Sequence, residues 1–298
     1  MNRMVHTIRR KGTVIMMHGW AQNAFVMKSR TVKLEKKLKQ AGYECVYLEA
    51  PHLLPMTSTV LIDGQPVQIT NGDRENARAW FLYSSSDSAD ASLALEETPM
   101  EYIGLNDSID RVRECLTTHC NKEDDVCAIL GFSQGATFCH ILSILASAAA
   151  KKQSNNNPNN LKLYPFSKIH CAILLSGFPS MHNGPLLGEN LATATRNAGV
   201  AASKKNAEAA AQGHNNYANN KLIELPSLHI FGEKDTSVPK SYGEKLATLF
   251  DNPDSYDHGK GHVIPHNAAL CERVISFLDS CVDVFREGRE SPPIDSLE

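Results

Sequence analysis

Short apolar runs alternate with amphipathic stretches along the 298 residues of this chain. The apolar runs are continuous, which is typical of strands buried on both faces of a parallel sheet. They predict strands at Thr13–Met17, Glu44–Leu48, Val126–Leu130, Ile169–Leu175 and Ser227–Phe231. Helical spacing predicts helices at Val26–Gln40, Asp107–Cys120, Ala136–Ala150, Pro239–Phe250 and Asn267–Phe285. This order predicts an α/β fold in which helices cover both faces of a parallel sheet.

Three polar or low-complexity stretches interrupt the alternation. Residues 53–76 are polar with several prolines and glycines, and we expect an excursion over the site. Residues 151–160 form a low-complexity loop, and residues 189–221 are rich in Ala and Asn. The last stretch is either a lid segment or a loop expansion. None of them has enough apolar residues for a core of its own, so we expect a single domain over 1–298.

Composition excludes several classes of protein. The net charge of −3 and the pI of about 6.5 show no basic footprint for nucleic acid. No run of 18 apolar residues predicts a membrane span, and no early apolar segment predicts a signal peptide, so we expect a cytoplasmic protein. The eight cysteines are therefore predicted to be thiols. Cys115, His119 and Cys120 come nearest to a metal cluster but lack a second ligand pair, so we expect no metal.

A serine lies between a predicted strand and a predicted helix, in the sequence Gly131-Phe132-Ser133-Gln134-Gly135. This G-x-S-x-G pattern in this context is typical of the nucleophile elbow of α/β hydrolases. The sharp turn exposes the serine hydroxyl, and the two glycines avoid collisions with the neighbouring strand and helix. We therefore predict Ser133 as the nucleophile. The backbone N–H of Gln134, at the helix start, is predicted to stabilise a developing oxyanion.

A serine nucleophile needs a base, and the base needs an acid that orients it. In this fold the acid follows the serine in the chain and precedes the histidine. Asp235 lies in the loop directly after a buried strand and is the predicted acid, with Glu233 as the rival. Asp251, Asp254 and Asp257 follow a helix and are interpreted as a solvated turn.

The base is expected to follow the acid in the chain, and a glycine-rich loop with a histidine lies before the last predicted helix. His262 is the predicted base, because flanking glycines let the backbone bring its ring over the sheet. His258 and His266 are the rivals. His140 and His229 fall inside a helix and a strand, and we expect them to be core residues.

The loop after the first strand, which begins at His18, should supply the second oxyanion donor. The backbone N–H of Trp20 is predicted, with Ala21 as the alternative. We expect His18 to support this loop by hydrogen bonding rather than to act as the base.

These motifs together resemble a known family. They are His18-Gly19-Trp20-Ala21-Gln22-Asn23, Glu49-Ala50-Pro51, Arg78-Ala79-Trp80-Phe81, the serine motif, Leu175-Ser176-Gly177-Phe178 and Gly261-His262-Val263-Ile264-Pro265. The combination resembles the FSH group ("family of serine hydrolases") of α/β hydrolases, related to the ovarian-cancer-gene-2 esterase. The resemblance implies Ser133, Asp235 and His262 as the triad and an α/β-hydrolase fold with a sheet of about six strands. The chain departs from the family at Lys260, beside the base, and in the length of 189–221.

We therefore predict a serine esterase that cleaves carboxylic esters of short to medium acyl chains through an acyl-serine intermediate. It would act on a small-molecule ester or thioester and would need no metal or organic cofactor. An acyl thioesterase of the same fold and a non-catalytic binding protein on a hydrolase scaffold are the alternatives.

The predicted mouth of the site is apolar. Aromatic and aliphatic residues near the strand ends, either pocket or core, are Trp20, Phe25, Leu53, Leu54, Trp80 and Phe178. Arg74 and Arg78 come nearest to a clamp for a substrate carboxylate, and we interpret them as part of a solvated face.

Overall fold

The computed structural model describes residues 9–55, 57–62, 65–70, 76–83, 101–120, 125–153, 163–180 and 223–290. Its strands are β1 (Gly12–Met17), β2 (Tyr43–Leu48), β3 (His52–Leu53), β4 (Thr57–Ile62), β5 (Gln65–Thr70), β6 (Arg78–Ala79), β7 (Leu82–Tyr83), β8 (Tyr102–Ile103), β9 (Val126–Phe132), β10 (Ile169–Leu175), β11 (Ser227–Phe231) and β12 (Asp254–Asp257). Its α-helices are α1 (Ala24–Ala41), α2 (Leu105–His119), α3 (Gln134–Gln153), α4 (Lys240–Ala247) and α5 (Ala268–Glu290), and Tyr164–Lys168 is a 3₁₀ helix.

Six strands form the central sheet, in the order β12-β11-β10-β9-β1-β2. Every pairing in it is parallel. Phe132 at the end of β9 pairs with Leu175 of β10, which pairs in turn with Ile230 of β11. The carboxyl ends of these three strands therefore meet at one edge, where sites form in open α/β sheets. The predicted fold class is confirmed.

Alternate residues of each central strand serve two hydrophobic cores. In β1, Ile15 and Met17 pack into the core that contains α2 and α3, while Val14 and Met16 pack into the core that contains α1 and α5. All four side chains are fully buried. Each such side chain stabilises the fold by roughly 1.5–3 kcal/mol relative to an exposed one. Burial on both faces explains why these strands are continuous apolar runs.

Helix α1 has well-defined ends. The side chain of Asn23 accepts a hydrogen bond from the backbone N–H of Val26 at 2.9 Å, which satisfies one donor of the first turn. Gly42 ends the helix with a φ of 98°, a left-handed conformation that glycine adopts without a steric penalty. The cap at Asn23 fixes the start of α1 close to the carboxyl end of β1, and Gly42 leads the chain into β2.

The edge strand β12 was not predicted. Asp254 and Asp257, interpreted as parts of a solvated turn, are its first and last residues, and β12 pairs in parallel with β11. Its sequence Asp-Ser-Tyr-Asp has no apolar run because an edge strand of this sheet is only half buried. Asp251 does lie in the bend before this strand.

Short antiparallel pairs form separate two-stranded sheets. Within the predicted excursion 53–76, β4 pairs with β5, and β3 pairs with β6 where the chain enters and leaves that excursion. The predicted segment 189–221 lies outside the described residues. Of 151–160, only the first three residues are described, and they continue helix α3.

All eight cysteines are free thiols. Among the residues with described positions, no group of three or more His, Cys, Asp or Glu side chains is arranged to hold a metal ion. In the same parts of the chain, no helix combines the length and the hydropathy that a membrane crossing needs.

Candidate active site

Ser133 occupies a strained turn between β9 and α3. Its φ is 54°, a left-handed conformation that non-glycine residues rarely adopt. A Cβ on Gly131 would lie 2.2 Å from the Gly135 carbonyl oxygen, and one on Gly135 would lie 2.5 Å from the His18 carbonyl oxygen. The turn therefore requires both glycines. The Ser133 side chain is only partly buried, at the edge where the parallel strands end.

Asp235 follows β11 in a tight loop. Its Oδ1 accepts hydrogen bonds from the backbone N–H groups of Ser237 at 3.0 Å and Val238 at 2.8 Å. The carboxylate is fully buried. Burial alone would raise the pKa of Asp235, but the hydrogen bonds from His262 and Val238 outweigh it, and the pKa lies below its ordinary value. Asp235 is thus held as a carboxylate.

The loop that carries His262 packs directly on the loop of Asp235. The backbone N–H of Lys234 donates to the carbonyl of Lys260 at 3.2 Å. A Cβ on Gly232 would lie 2.0 Å from that carbonyl oxygen, so this close approach requires glycine. Gly259 has a φ of 66° and turns the chain between β12 and His262.

A continuous chain of hydrogen bonds joins the three side chains. His262 Nε2 lies 3.0 Å from Ser133 Oγ, and His262 Nδ1 lies 2.8 Å from Asp235 Oδ2. Because a carboxylate can only accept, Nδ1 carries the ring proton and Nε2 is left to accept from the serine hydroxyl. The ring of Phe132 lies 4.8 Å from the imidazole ring, centroid to centroid, and supports its orientation. The three residues predicted from the sequence are thus brought into contact.

The rival acids point elsewhere. Glu233 is exposed. Asp257 forms an ion pair with Lys240 at 2.8 Å, and Asp254 pairs with Arg273.

The rival histidines also lie away from the serine hydroxyl. His258 Nδ1 accepts a hydrogen bond from the backbone N–H of Lys260 at 3.2 Å, and His266 is exposed. His140 and His229 are buried, each 1% exposed, as predicted.

The loop after β1 has a fixed peptide orientation. The Gly19 carbonyl accepts from His18 Nδ1 at 2.9 Å and from the Gln22 backbone N–H at 3.3 Å. His18 Nε2 accepts from the Ala50 N–H at 3.2 Å, which sets this tautomer. A trans peptide is planar with its N–H opposite its carbonyl, so the Trp20 N–H points away from His18 and Gln22. The loop touches the serine, since a Cβ on Gly19 would lie 3.2 Å from Ser133 Cβ.

The side chain of Gln134 has a role that sequence reasoning missed. Its Oε1 accepts from the Trp80 backbone N–H, and its Nε2 donates to the Phe81 carbonyl, both at 2.9 Å. The Trp80 indole N–H in turn donates to the His18 carbonyl at 2.7 Å. Gln134 and Trp80 are each at most 1% exposed, so the segment around Trp80 ties the serine turn to the loop of His18. The motif from Arg78 to Phe81 was the available signal.

Arg78 is held by the protein itself. Its Nη1 donates to the carbonyls of Ala50 and Pro51, each at 3.1 Å. Its Nε lies 3.0 Å from Glu49, which also accepts from the backbone N–H of Ala24 at 2.6 Å. The interpretation of Arg78 as part of a solvated face is therefore wrong, because its guanidinium fastens the segments around the site. Arg74 lies outside the described residues.

The apolar residues proposed for the mouth divide into two sets. Leu54, Trp80 and Phe178 are buried core residues. Phe25 and Leu53 are 79% and 60% exposed. Trp20 is partly buried, and its ring packs 5.8 Å from that of Tyr83.

An all-parallel sheet with a strained serine turn after a central strand defines the α/β-hydrolase class. The chain belongs to the serine hydrolase (FSH1) family, whose sequence model matches residues 6–274. The resemblance drawn from the motifs is thereby confirmed.

Two relatives of similar length carry the name esterase. Esterase OVCA2 of Danio rerio is 26% identical over 267 residues, which cover 89% of this chain and 95% of the relative. Esterase AGAP003155 of Anopheles gambiae is 27% identical over 93% of this chain and 80% of the relative. The crystal structure of Zea mays acyl-protein thioesterase 2 aligns with a TM-score of 0.50 at 20% identity, covering 92% of this chain and 95% of that one, and shows the shared fold.

Proposed function

We propose that this serine hydrolase is a carboxylic ester hydrolase that acts through an acyl-enzyme on Ser133. The observation that carries the proposal is the unbroken hydrogen-bond chain from Ser133 Oγ through His262 to Asp235. A hydroxyl, an imidazole and a buried carboxylate in this order can move a proton from the serine to the ring as the serine attacks.

In the first half-reaction, Ser133 Oγ attacks the carbonyl carbon of the ester while His262 Nε2 takes its proton. Asp235 stays ionised and stabilises the imidazolium that forms. His262 then gives the proton to the leaving alcohol, and the acyl group remains on Ser133. In the second half, water attacks the acyl carbon, and His262 accepts its proton and returns it to Ser133.

The oxyanion would be held by the backbone N–H groups of Gln134 and Trp20. Gln134 is the first residue of α3, so its N–H has no partner within the helix. The carbonyl that precedes the Trp20 N–H is held on the opposite side by His18 and Gln22, which supports Trp20 over Ala21 as the second donor. One such donor contributes on the order of 10²–10³ in kcat.

An apolar acyl group fits the surroundings better than a charged one. Leu53, which lies after β2, and Val263, which directly follows His262, are exposed apolar side chains. The guanidinium of Arg78 already donates to backbone carbonyls. Each methylene that the site buries should contribute about 0.8 kcal/mol, or about fourfold in kcat/KM. We propose an optimum at short to medium chains, because the excursion 53–76 is small for a cap.

The experiment is a series of p-nitrophenyl esters from acetyl to palmitoyl, with the enzyme and its Ser133→Ala variant. We expect kcat/KM to rise over the first members of the series, to pass a maximum and then to fall, and we expect no turnover by the variant. A monotonic rise to palmitoyl would contradict the small site and indicate a long acyl groove. Absence of turnover across esters, with turnover of acyl-CoA, would favour the thioesterase alternative. No turnover of either would favour a binding protein.

A further inference from the structure

Ser176 lies between the serine turn and the acid loop. It follows β10, and the peptide group that it shares with Leu175 bonds to both neighbouring strands. The carbonyl of that peptide accepts from the Ser133 N–H at 2.8 Å, and its N–H donates to the Ile230 carbonyl at 2.7 Å. A single planar peptide therefore links the residue that carries the attacking hydroxyl to the strand that leads to Asp235.

The side chain of Ser176 is buried against the acid. It is 1% exposed, and its Oγ makes no hydrogen bond of regular geometry within the described part of the chain. The hydroxyl nevertheless contributes, after His262 and Val238, to lowering the pKa of the Asp235 carboxyl group. The candidate acceptor for this hydroxyl is therefore Asp235.

The carboxylate has room for one more donor. Two carboxylate oxygens offer about four acceptor positions. Three are taken by the N–H groups of Ser237 and Val238 and by the ring of His262. The fourth position is open to the hydroxyl of Ser176, which follows β10 directly and whose backbone N–H is bonded to the strand that leads to Asp235.

The serine is also retained at an energetic cost. Its φ is 48°, a left-handed conformation in which a non-glycine residue is strained. A buried hydroxyl without a partner is destabilising as well. Glycine at this position would avoid both costs, so the hydroxyl itself needs an explanation. Ser176 is too deeply buried to serve as an alternative nucleophile.

We propose that Ser176 is a positioning residue, whose hydroxyl donates a hydrogen bond to Asp235 and holds the carboxylate in register with His262 during turnover. The proposal rests on the proposed ester hydrolysis at Ser133. By sharing the negative charge of the carboxylate, the hydroxyl also moderates the attraction between Asp235 and the imidazolium.

The test compares Ser176→Ala and Ser176→Gly with the parent enzyme on p-nitrophenyl butyrate. Both variants lose the hydroxyl, and the glycine variant also relieves the backbone strain. The kinetics of the glycine variant therefore test the proposal even if the alanine variant fails to fold. We expect kcat to fall about 3- to 10-fold, the equivalent of one net hydrogen bond, with KM unchanged. The acid limb of the kcat profile should move to higher pH, because the imidazolium then faces the whole charge of the carboxylate.

A matched control is Ser143→Ala, which removes a buried hydroxyl from α3 that donates to the Cys139 carbonyl at 2.7 Å. It should lower stability without moving the pH profile. A folded Ser176→Gly enzyme with the parent kcat and pH profile would overturn the inference. The Ser133→Ala variant distinguishes the proposed function from the proposed role of Ser176. Residual turnover by Ser133→Ala would overturn the ester-hydrolase mechanism. An inactive Ser133→Ala variant together with an unchanged Ser176→Gly enzyme would overturn only the role of Ser176.

Discussion

The backbone N–H of Lys234 donates to the carbonyl of Lys260 at 3.2 Å, and this bond joins the loop of Asp235 to the loop of His262. The two loops approach so closely that a Cβ on Gly232 would lie 2.0 Å from the Lys260 carbonyl oxygen. Since Asp235 and His262 lie on these two loops, their 2.8 Å contact depends on this approach.

Gly232→Ala should therefore separate the acid from the base. The Cβ would strike backbone atoms that no side-chain rotation can move, so we expect kcat/KM to fall at least 100-fold. Gly261→Ala is the matched control, because its Cβ would meet nothing closer than 3.4 Å. The measurement is kcat/KM of the two variants and the parent enzyme on one ester. Equal losses in the two variants would contradict the proposed dependence on loop approach.

Asp235→Asn should cripple turnover while the fold is kept. An amide can present its NH₂ to the imidazole and select the wrong ring tautomer, at a cost on the order of 10⁴ in kcat. Glu233→Gln, which changes an exposed neighbour in the same way, should leave kcat within about twofold of the parent. A larger loss from Glu233→Gln than from Asp235→Asn would reassign the acid.

Gln134→Met should weaken both the fold and the catalysis. It keeps the size of the side chain and the proposed oxyanion N–H, but it leaves the Trp80 N–H and the Phe81 carbonyl buried without partners. We expect the free energy of unfolding to fall by about 2–4 kcal/mol, measured in urea. We also expect kcat to fall because the loop of His18 is held through Trp80. Gln40→Met, on the exposed face of α1, should change neither value.

The free energy of unfolding should fall as the pH drops below the pKa of a free histidine side chain. Burial lowers the pKa of His140 to about 4 and that of His229 to about 3. Below pH ~6.5 the unfolded chain therefore binds more protons than the native protein, so stability is complete above that pH. It is lost progressively towards pH 4, at up to about 1.4 kcal/mol per pH unit for each histidine.

The measurement is urea unfolding at several pH values from 7.5 to 5. His140→Gln, whose amide oxygen can still accept from the Ser180 backbone N–H, should show a shallower pH dependence. His266→Gln changes an exposed histidine and should retain the parent slope. Asp235 does not interfere in this range, because its pKa lies below the ordinary value of an aspartate and its contribution is lost only at more acidic pH. A slope unchanged by His140→Gln would contradict the assignment.

The parts of the fold that could be predicted are those that follow from burial. Strand β9 is a continuous apolar run because both of its faces are covered, and the glycines around Ser133 follow from the sharpness of the turn. The edge strand β12 could not be predicted, because a half-buried Asp-Ser-Tyr-Asp sequence resembles a loop. The hydrogen bonds between the Gln134 side chain and the segment around Trp80 were also missed, because they depend on where this non-periodic segment crosses the sheet edge.

Ser133 is proposed to carry the acyl group, and the position of the covalent adduct can be mapped. The enzyme is incubated with a fluorophosphonate probe, or quenched in acid during turnover of p-nitrophenyl butyrate, and its peptides are read by mass spectrometry. We expect one added phosphonyl or butyryl group on Ser133 and none in the Ser133→Ala variant. An adduct on another residue, or turnover that persists in the variant, would rule out Ser133 as the carrier of the acyl group.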